Sequence, residues 1–371
     1  MRKYKLTRLF QVILAVMAII TVIVCARPLT KGVFTGIQIC LNNLVPSLFL
    51  FMVLSSFLVR SGIGEQVFFL ISKPLSKAFH IPERFVVIFC FSLLGGFPVG
   101  AKLIADAVER QEMDAATGRR MLAYCVNCGP AFLISAVSLP VFRNITVGLV
   151  VYLSQILAAI AVGIISGLKK DMPELPAALS GRRVSLSNEL VSAVSSTVQS
   201  MSLVCAFVII FTGVSQLLKD SGVLSAVTSL LEHVMTKEAA NSLIIGILEV
   251  TSGCNELQSC RSLLLFAFIA GFGGLCVHIQ VKAILNRAGV KMGLFYLYRP
   301  VYIALSLFFS MVLIRFFGGT ASVMAAQDIP VPKIYSVSPL GSILLVILAV
   351  LLLLSTRKSD IIEKNEKRAS K

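Results

Sequence analysis

Glu249 interrupts the apolar run Leu243–Val250, immediately before Thr251-Ser252-Gly253-Cys254-Asn255. A carboxylate held at membrane depth costs on the order of 3 kcal/mol on insertion scales, so it must face a cavity, take a proton or find hydrogen bonds. Two chemistries fit. Glu249 can serve a coupling proton or cation, or its carboxylate can cap the backbone N–H groups that a helix break frees at Thr251–Gly253. Thr251, Ser252 and Asn255 can orient a solute or satisfy the same freed groups. Gly253, in the same break, is a further candidate for contact with the solute.

An earlier interruption has a different chemistry. The apolar run Phe85–Leu94 stops at Gly95-Gly96-Phe97-Pro98-Val99-Gly100. Glycine and proline break a helix, and a helix that restarts there presents an N-terminus that attracts anions. Gly95, Gly96, Pro98 and Gly100 are therefore candidates for a hairpin tip that touches a solute, and equally for a tight turn between packed helices. Lys102 suits an anion partner or a gate, or a side chain that snorkels to the interface. Asn127, in Val126-Asn127-Cys128-Gly129-Pro130, can orient a solute or satisfy freed backbone groups, and Gly129 and Pro130 beside it are candidates for the same solute contact. His278 and Gln280 follow Gly273-Gly274, and a histidine there can gate on pH or pack structurally.

Other chemistries lack their residues. Cys125-x-x-Cys128 has the spacing of a metal or redox pair, but no second Cys/His pair accompanies it and the segment is apolar. Structural thiols are the better reading, and no metal site is expected. The sequence contains no phosphate-binding Gly-x-x-x-x-Gly-Lys-Ser/Thr loop, no His-Glu-x-x-His and no nucleophile elbow. Neither an enzyme nor a cofactor is expected.

The elements that position these residues must lie in a bilayer. Of the 371 residues, 57% are hydrophobic and 14% charged, with mean hydropathy +0.89. A soluble protein carries about 45–50% apolar and ~25% charged residues. A soluble enzyme, a disordered chain and a secreted disulfide scaffold are excluded, and the nine cysteines fit small buried hydrophobes. The net charge of +16 reads as basic cytoplasmic loops rather than as nucleic-acid binding.

Apolar runs predict an all-α polytopic membrane protein with about eight transmembrane helices, at 9–25, 44–59, 121–140, 147–168, 201–218, 263–281, 301–317 and 340–354. The first exceeds a signal-peptide core and is expected to be retained. Phe85–Leu94 and Leu243–Val250 are too short to cross and predict re-entrant hairpins. With both termini cytoplasmic, about three quarters of the 34 Lys and Arg fall on the inside, as orientation requires.

The order then repeats. Residues 44–168 and 201–317 each read crossing, hairpin, crossing, crossing, with opposite orientation, which makes them inverted-topology repeats. Phe57-Leu58-Val59-Arg60-Ser61-Gly62 echoes Leu217-Leu218-Lys219-Asp220-Ser221-Gly222. Paired interrupted helices in inverted repeats point to a secondary transporter with a midplane site. The units expected are an N-terminal helix (1–31), a first repeat (32–168), a cytoplasmic linker (169–189), a second repeat (190–320), and a C-terminal helix with a basic tail (321–371).

Gly95–Lys102, Met121–Phe132, Glu249–Asn255 and Gly273–Val281 together resemble the nucleoside-recognition (GATE) domain membrane proteins. The likeness is strongest to the YlbJ-type sporulation integral membrane protein family. It covers roughly residues 32–320, so the two expected repeats are GATE-like. The family commonly shows an Asn-Asn-Ser-Gly-Pro-like run where this chain has Val126-Asn127-Cys128-Gly129-Pro130, with one polar group fewer. The resemblance implies a bacterial protein of sporulation that moves a small polar or anionic solute, with dipicolinate the leading candidate. It also implies residence in the cell membrane or a membrane that surrounds the forespore. A nucleoside or divalent-cation permease, and a non-transporting scaffold of a sporulation complex, are the alternatives. The partners expected are a small-molecule solute and membrane lipid, but no nucleic acid. Self-association and association with sporulation membrane proteins both remain open.

Overall fold

The computed structural model describes residues 2–168, 171–173 and 185–317, and among them every regular element is helical. Helix α1 (Arg2–Val24) meets α2 (Ala26–Ile39) at Cys25, and a π-helical stretch, Cys40–Leu44, carries α2 into α3 (Val45–Ser61). Pro46 explains the π geometry, because it cannot donate to the carbonyl one turn back and its ring crowds that turn. Gly62, with φ 77°, ends α3, and α4 (Ile63–Val67) and α5 (Phe69–Phe79) follow. Then come α6 (Glu83–Gly95), α7 (Phe97–Glu109) and α8 (Ala115–Met121). After α8 the chain unwinds, continues as a π-helix over Ala131–Phe142 that contains Pro140, and ends the first half with α9 (Ile145–Gly167).

The second half opens with α10 (Leu186–Asp220), which ends at Gly222 with φ 76°, and continues with α11 (Val223–Leu231). It proceeds through α12 (Lys237–Leu248), α13 (Val250–Glu256), α14 (Leu263–Phe272), α15 (Gly274–Asn286) and α16 (Gly293–Phe317). The order of helices and breaks parallels the first half. Gly62 and Gly222, matched by the sequence echo, share one left-handed conformation, with ψ −5° and −4°.

Cross-packing follows the same pattern. α7 lies against α15, and α13 lies against the π-helix Ala131–Phe142. α9 packs along α16, and α10 packs along α2 and α3. The α2–α10 contact is close because it is built on glycine: a Cβ on Gly32 would lie 2.7 Å from the Cα of Gly213. Small residues let helices approach this way where water supplies no drive between them. One apolar core holds residues of both halves.

Ion pairs fix which segments share an end. Arg60 meets Asp106 at 2.8 Å, Arg84 meets Glu112 at 3.2 Å, and Arg287 meets Glu109 at 3.7 Å. Arg110 pairs with Glu189 at the start of α10. Lys219, at the other end of α10, pairs with Glu256 at the end of α13. The mouth of the α6–α7 hairpin therefore lies at one end of α10, and α13 ends at the other.

Among the described residues, five helical stretches are long and apolar enough to cross a membrane: Ala26–Ser61, Ile145–Gly167, Leu186–Asp220, Leu263–Asn286 and Gly293–Phe317. A sixth arises if α5 and α6, which meet at 104°, count as one span. The described residues show fewer than the expected eight for physical reasons. Residues 121–140 are not one helix, since the chain unwinds before Pro130. The apolar part of α1, Gln11–Val24, is short. The run 340–354, the basic tail and most of the linker 169–189 lie outside the described residues. The segment 26–43, expected as a loop, is helical, so the boundary at 31/32 falls inside α2; that at 189/190 falls inside α10. The Ala26–Ser61 stretch has 36 residues. At about 1.5 Å per residue it reaches roughly 54 Å, beyond the ~30 Å hydrocarbon core.

Candidate functional site

The helix breaks meet one another. Gly96 separates α6 from α7 with φ 84°. A Cβ placed on it would lie 3.3 Å from Gly129 N, so two backbones touch where any side chain would intrude. One turn on, Gly100 sits where a Cβ would come within 1.7 Å of the carbonyl oxygen of Cys125. Helix α7 is thus seated directly on the unwound segment. Gly95 closes α6, and Pro98 lies in the first turn of α7, where its missing N–H leaves no gap in the ladder. These residues make the tight turn. Pro98 also removes one of the N–H groups an anion would need at that helix start.

Asn127 and Gly129 are buried in the unwound segment, and Pro130, half-buried, leads into the π-helix that follows. Its Nδ2 donates to Tyr124 O at 2.8 Å and Ser92 Oγ at 3.4 Å, while its Oδ1 has no partner. The N–H of Cys128 donates to Gln155 Oε1 at 3.2 Å.

Glu249 forms the break between α12 and α13, is 1% exposed, and accepts from Thr251 N at 2.8 Å and Ser252 N at 2.6 Å. Its carboxylate caps α13, as one of the two sequence readings expects. Gly253 folds α13 onto α12: a Cβ there would lie 2.1 Å from the Cα of Gly246. Thr251 and Ser252 are half-buried beside the cap. Asn255 is exposed, so it does not join the buried breaks.

Gly273 and Gly274 separate α14 from α15 and both have positive φ, 85° and 72°. A Cβ on Gly274 would lie 3.2 Å from Val250 N, and one on Gly273 would lie 3.2 Å from the Phe97 ring and 3.4 Å from an Arg299 nitrogen. This glycine pair joins the Glu249 break to the Gly96 break. His278 binds Phe272 O through Nε2 at 2.9 Å and packs on the rings of Phe272 and Phe295. Gln280 donates to Cys276 Sγ at 3.0 Å within its own helix.

Lys102 does not snorkel. It is 1% exposed, and its Nζ donates to Asp106 Oδ2 at 2.9 Å, to Ser196 Oγ at 3.0 Å and to Ser56. Arg60 donates to the same Asp106 oxygen. Two cations thus share one carboxylate where α3, α7 and α10 meet.

Arg299 escaped the sequence reading, which left it between the crossings expected at 263–281 and 301–317. It lies inside α16 and is 3% exposed. Its Nη1 donates to Val126 O at 2.8 Å, and its Nε and Nη2 both donate to Phe272 O at 3.3 Å. The rings of Phe295 and Tyr302 flank it at 5.2 and 4.7 Å. Tyr302 OH reaches Gln155 Oε1 at 3.4 Å, and Gln155 Nε2 is buried without a partner. The available signal was an arginine in the apolar, aromatic run Phe295–Ile303. Among the described residues no group of three or more His, Cys, Asp or Glu is placed to hold a metal ion.

Long apolar helices, with polar groups buried at their breaks, define an integral membrane protein of all-helical fold. Among known proteins the chain is similar to the sporulation integral membrane protein YlbJ of Bacillus subtilis (strain 168). The two are 24% identical over 300 residues, which cover 73% of this chain and 72% of that protein. No protein-family model matches the chain, and no solved structure matches it.

Proposed function

We propose that this chain is a membrane carrier for a small polar or anionic solute and acts in sporulation. The observation that carries the reading is the pair of helix–break–helix hairpins that end at opposite ends of α10, with breaks that converge at Gly96, Gly129, Glu249 and Gly273-Gly274. In a bilayer, backbone without helical bonding is tolerated only inside protein or along a cavity. A scaffold needs no such pair. The hairpins are re-entrant, and the halves are inverted GATE-like repeats within a fold of about eight crossings. The ion-paired end rich in Arg and Lys faces the cytoplasm.

The YlbJ relative is named for sporulation, which supports that process here. Dipicolinate is the leading solute, and a nucleoside or a divalent cation is the alternative. Asn127, Thr251 and Ser252 orient the solute, and Glu249 exchanges its cap for a coupling proton. The Arg60–Asp106–Lys102–Ser196 cluster closes the cytoplasmic end, and His278 and Gln280 brace the α14–α15 break. The chain performs no chemistry on the solute and requires no cofactor; besides solute and lipid, its partners are further copies of itself or other sporulation membrane proteins.

The test is uptake of labelled dipicolinate, uridine and iron(II) into proteoliposomes, with and without a proton gradient. Dipicolinate entry that rises with the gradient, and loses that response in Glu249→Gln, is the expected result. Uptake of uridine or iron(II) alone moves the assignment to that class. No uptake by folded protein favours the scaffold.

A further inference from the structure

We propose that Arg299 is the binding residue for the solute's carboxylate, and that the carboxylate replaces the two backbone carbonyls that now hold the guanidinium. The inference rests on the carrier reading. Arg299 is a permanent cation, buried within a spanning helix, and among the described residues no carboxylate is ion-paired with it. Its three hydrogen bonds go to carbonyl oxygens, and the two to Phe272 O are long, at 3.3 Å. A guanidinium has five N–H donors in a planar fork, so two are unused. Carbonyl dipoles compensate a buried cation only in part, whereas a carboxylate takes two parallel, charge-assisted bonds.

The two carbonyls are not arbitrary. Phe272 O belongs to the last turn of α14, immediately before Gly273, and Val126 O belongs to the unwound segment before Gly129. The same side chain therefore ties a break of the first half to a break of the second. Phe295 and Tyr302 hold the guanidinium between their rings. The buried, unpartnered Gln155 Nε2 supplies a further donor beside Tyr302. A carboxylate that enters gains Arg299 and Gln155, and as it does so it releases both breaks from a common anchor. Solute binding and the loosening of the halves are then one event.

The purified full chain in detergent is tested by its thermal stabilisation with pyridine-2,6-dicarboxylate and with the uncharged pyridine-2,6-dicarboxamide. The wild-type chain is expected to be stabilised by the dicarboxylate and not by the diamide. Arg299→Lys and Arg299→Gln should weaken the dicarboxylate at least about tenfold, and Gln155→Ala by a smaller factor. Equal stabilisation by both probes, or by neither, overturns the proposal without any variant, so a misfolded substitution leaves it testable. Unchanged dicarboxylate affinity in a folded Arg299→Lys chain also overturns it and leaves Arg299 a structural tie. Uptake separates this inference from the carrier reading. Arg299-dependent binding without flux sinks the carrier alone, and flux that ignores Arg299→Lys sinks the site alone.

Discussion

Glu249 has one observed role, the cap of α13, and one proposed role, proton coupling, and a single substitution can separate them. The carboxylate bonds Thr251 N and Ser252 N, so Glu249→Ala should cost about 1 kcal/mol or more of stability through the lost cap. Glu249→Gln keeps a side-chain oxygen for the cap and cannot take up a proton. Its melting temperature should stay closer to wild type than that of Glu249→Ala, while its uptake no longer responds to a gradient. Gly100 is a harsher case. A Cβ 1.7 Å from a carbonyl oxygen cannot be accommodated by a side-chain shift, because the obstacle is backbone. Gly100→Ala should lose about 3 kcal/mol, the upper end for overpacking, seen as loss of the monodisperse peak in detergent. Residue types alone made Glu249, Asn127 and the glycines legible, since polar or flexible groups in apolar runs need a reason. Arg299 was hidden because a basic residue near an aromatic cluster reads as an interface loop until the start of its helix is known.

Helices were legible where apolar runs are long, and misread where proline changes the hydrogen-bond ladder. Pro46 and Pro140 sit beside or within π-helical stretches that the 3.6-residue period cannot reveal. Residues 121–140 read as one crossing because the apolar run continues through a segment, 122–129, that unwinds before Pro130. Two element-scale tests follow from observed contacts. Gly32→Leu should separate α2 from α10 and lower the melting temperature by several degrees, because its Cβ alone would meet Gly213 at 2.7 Å. Asp114 caps α8 through Ala116 N and Thr117 N at 2.9 Å. Partial burial pushes its carboxyl up, but the hydrogen bonds from Thr117 and Ala116 outweigh that and hold it below the usual carboxylate range. Its contribution is therefore present above the ordinary aspartate value and lost as pH falls through the lowered one. Asp114→Ala should cost about 1 kcal/mol in a neutral-pH melt and leave uptake unchanged.

At the scale of the molecule, ion pairs gather stretches that the sequence leaves between its expected crossings. Arg60–Asp106, Arg84–Glu112, Arg110–Glu189 and Arg287–Glu109 join at one end the chain that follows 44–59, the chain that precedes 121–140, the end of the linker 169–189 and the chain that follows 263–281. The echo between Gly62 and Gly222 was legible because a left-handed helix end selects glycine. Contacts between the halves, such as Phe97 on Gly273, join residues too far apart in the chain for any local pattern to reveal. The central claim is that the two hairpins open to opposite sides of the membrane. It is tested in a cysteine-free chain that carries either Ala116→Cys, beyond α7, or Gln258→Cys, beyond α13, both exposed positions. A membrane-impermeant maleimide applied to intact cells should label Gln258→Cys alone, and Ala116→Cys should react only after the membrane is opened. Labelling of both from the same side would contradict the inverted arrangement and the carrier built on it.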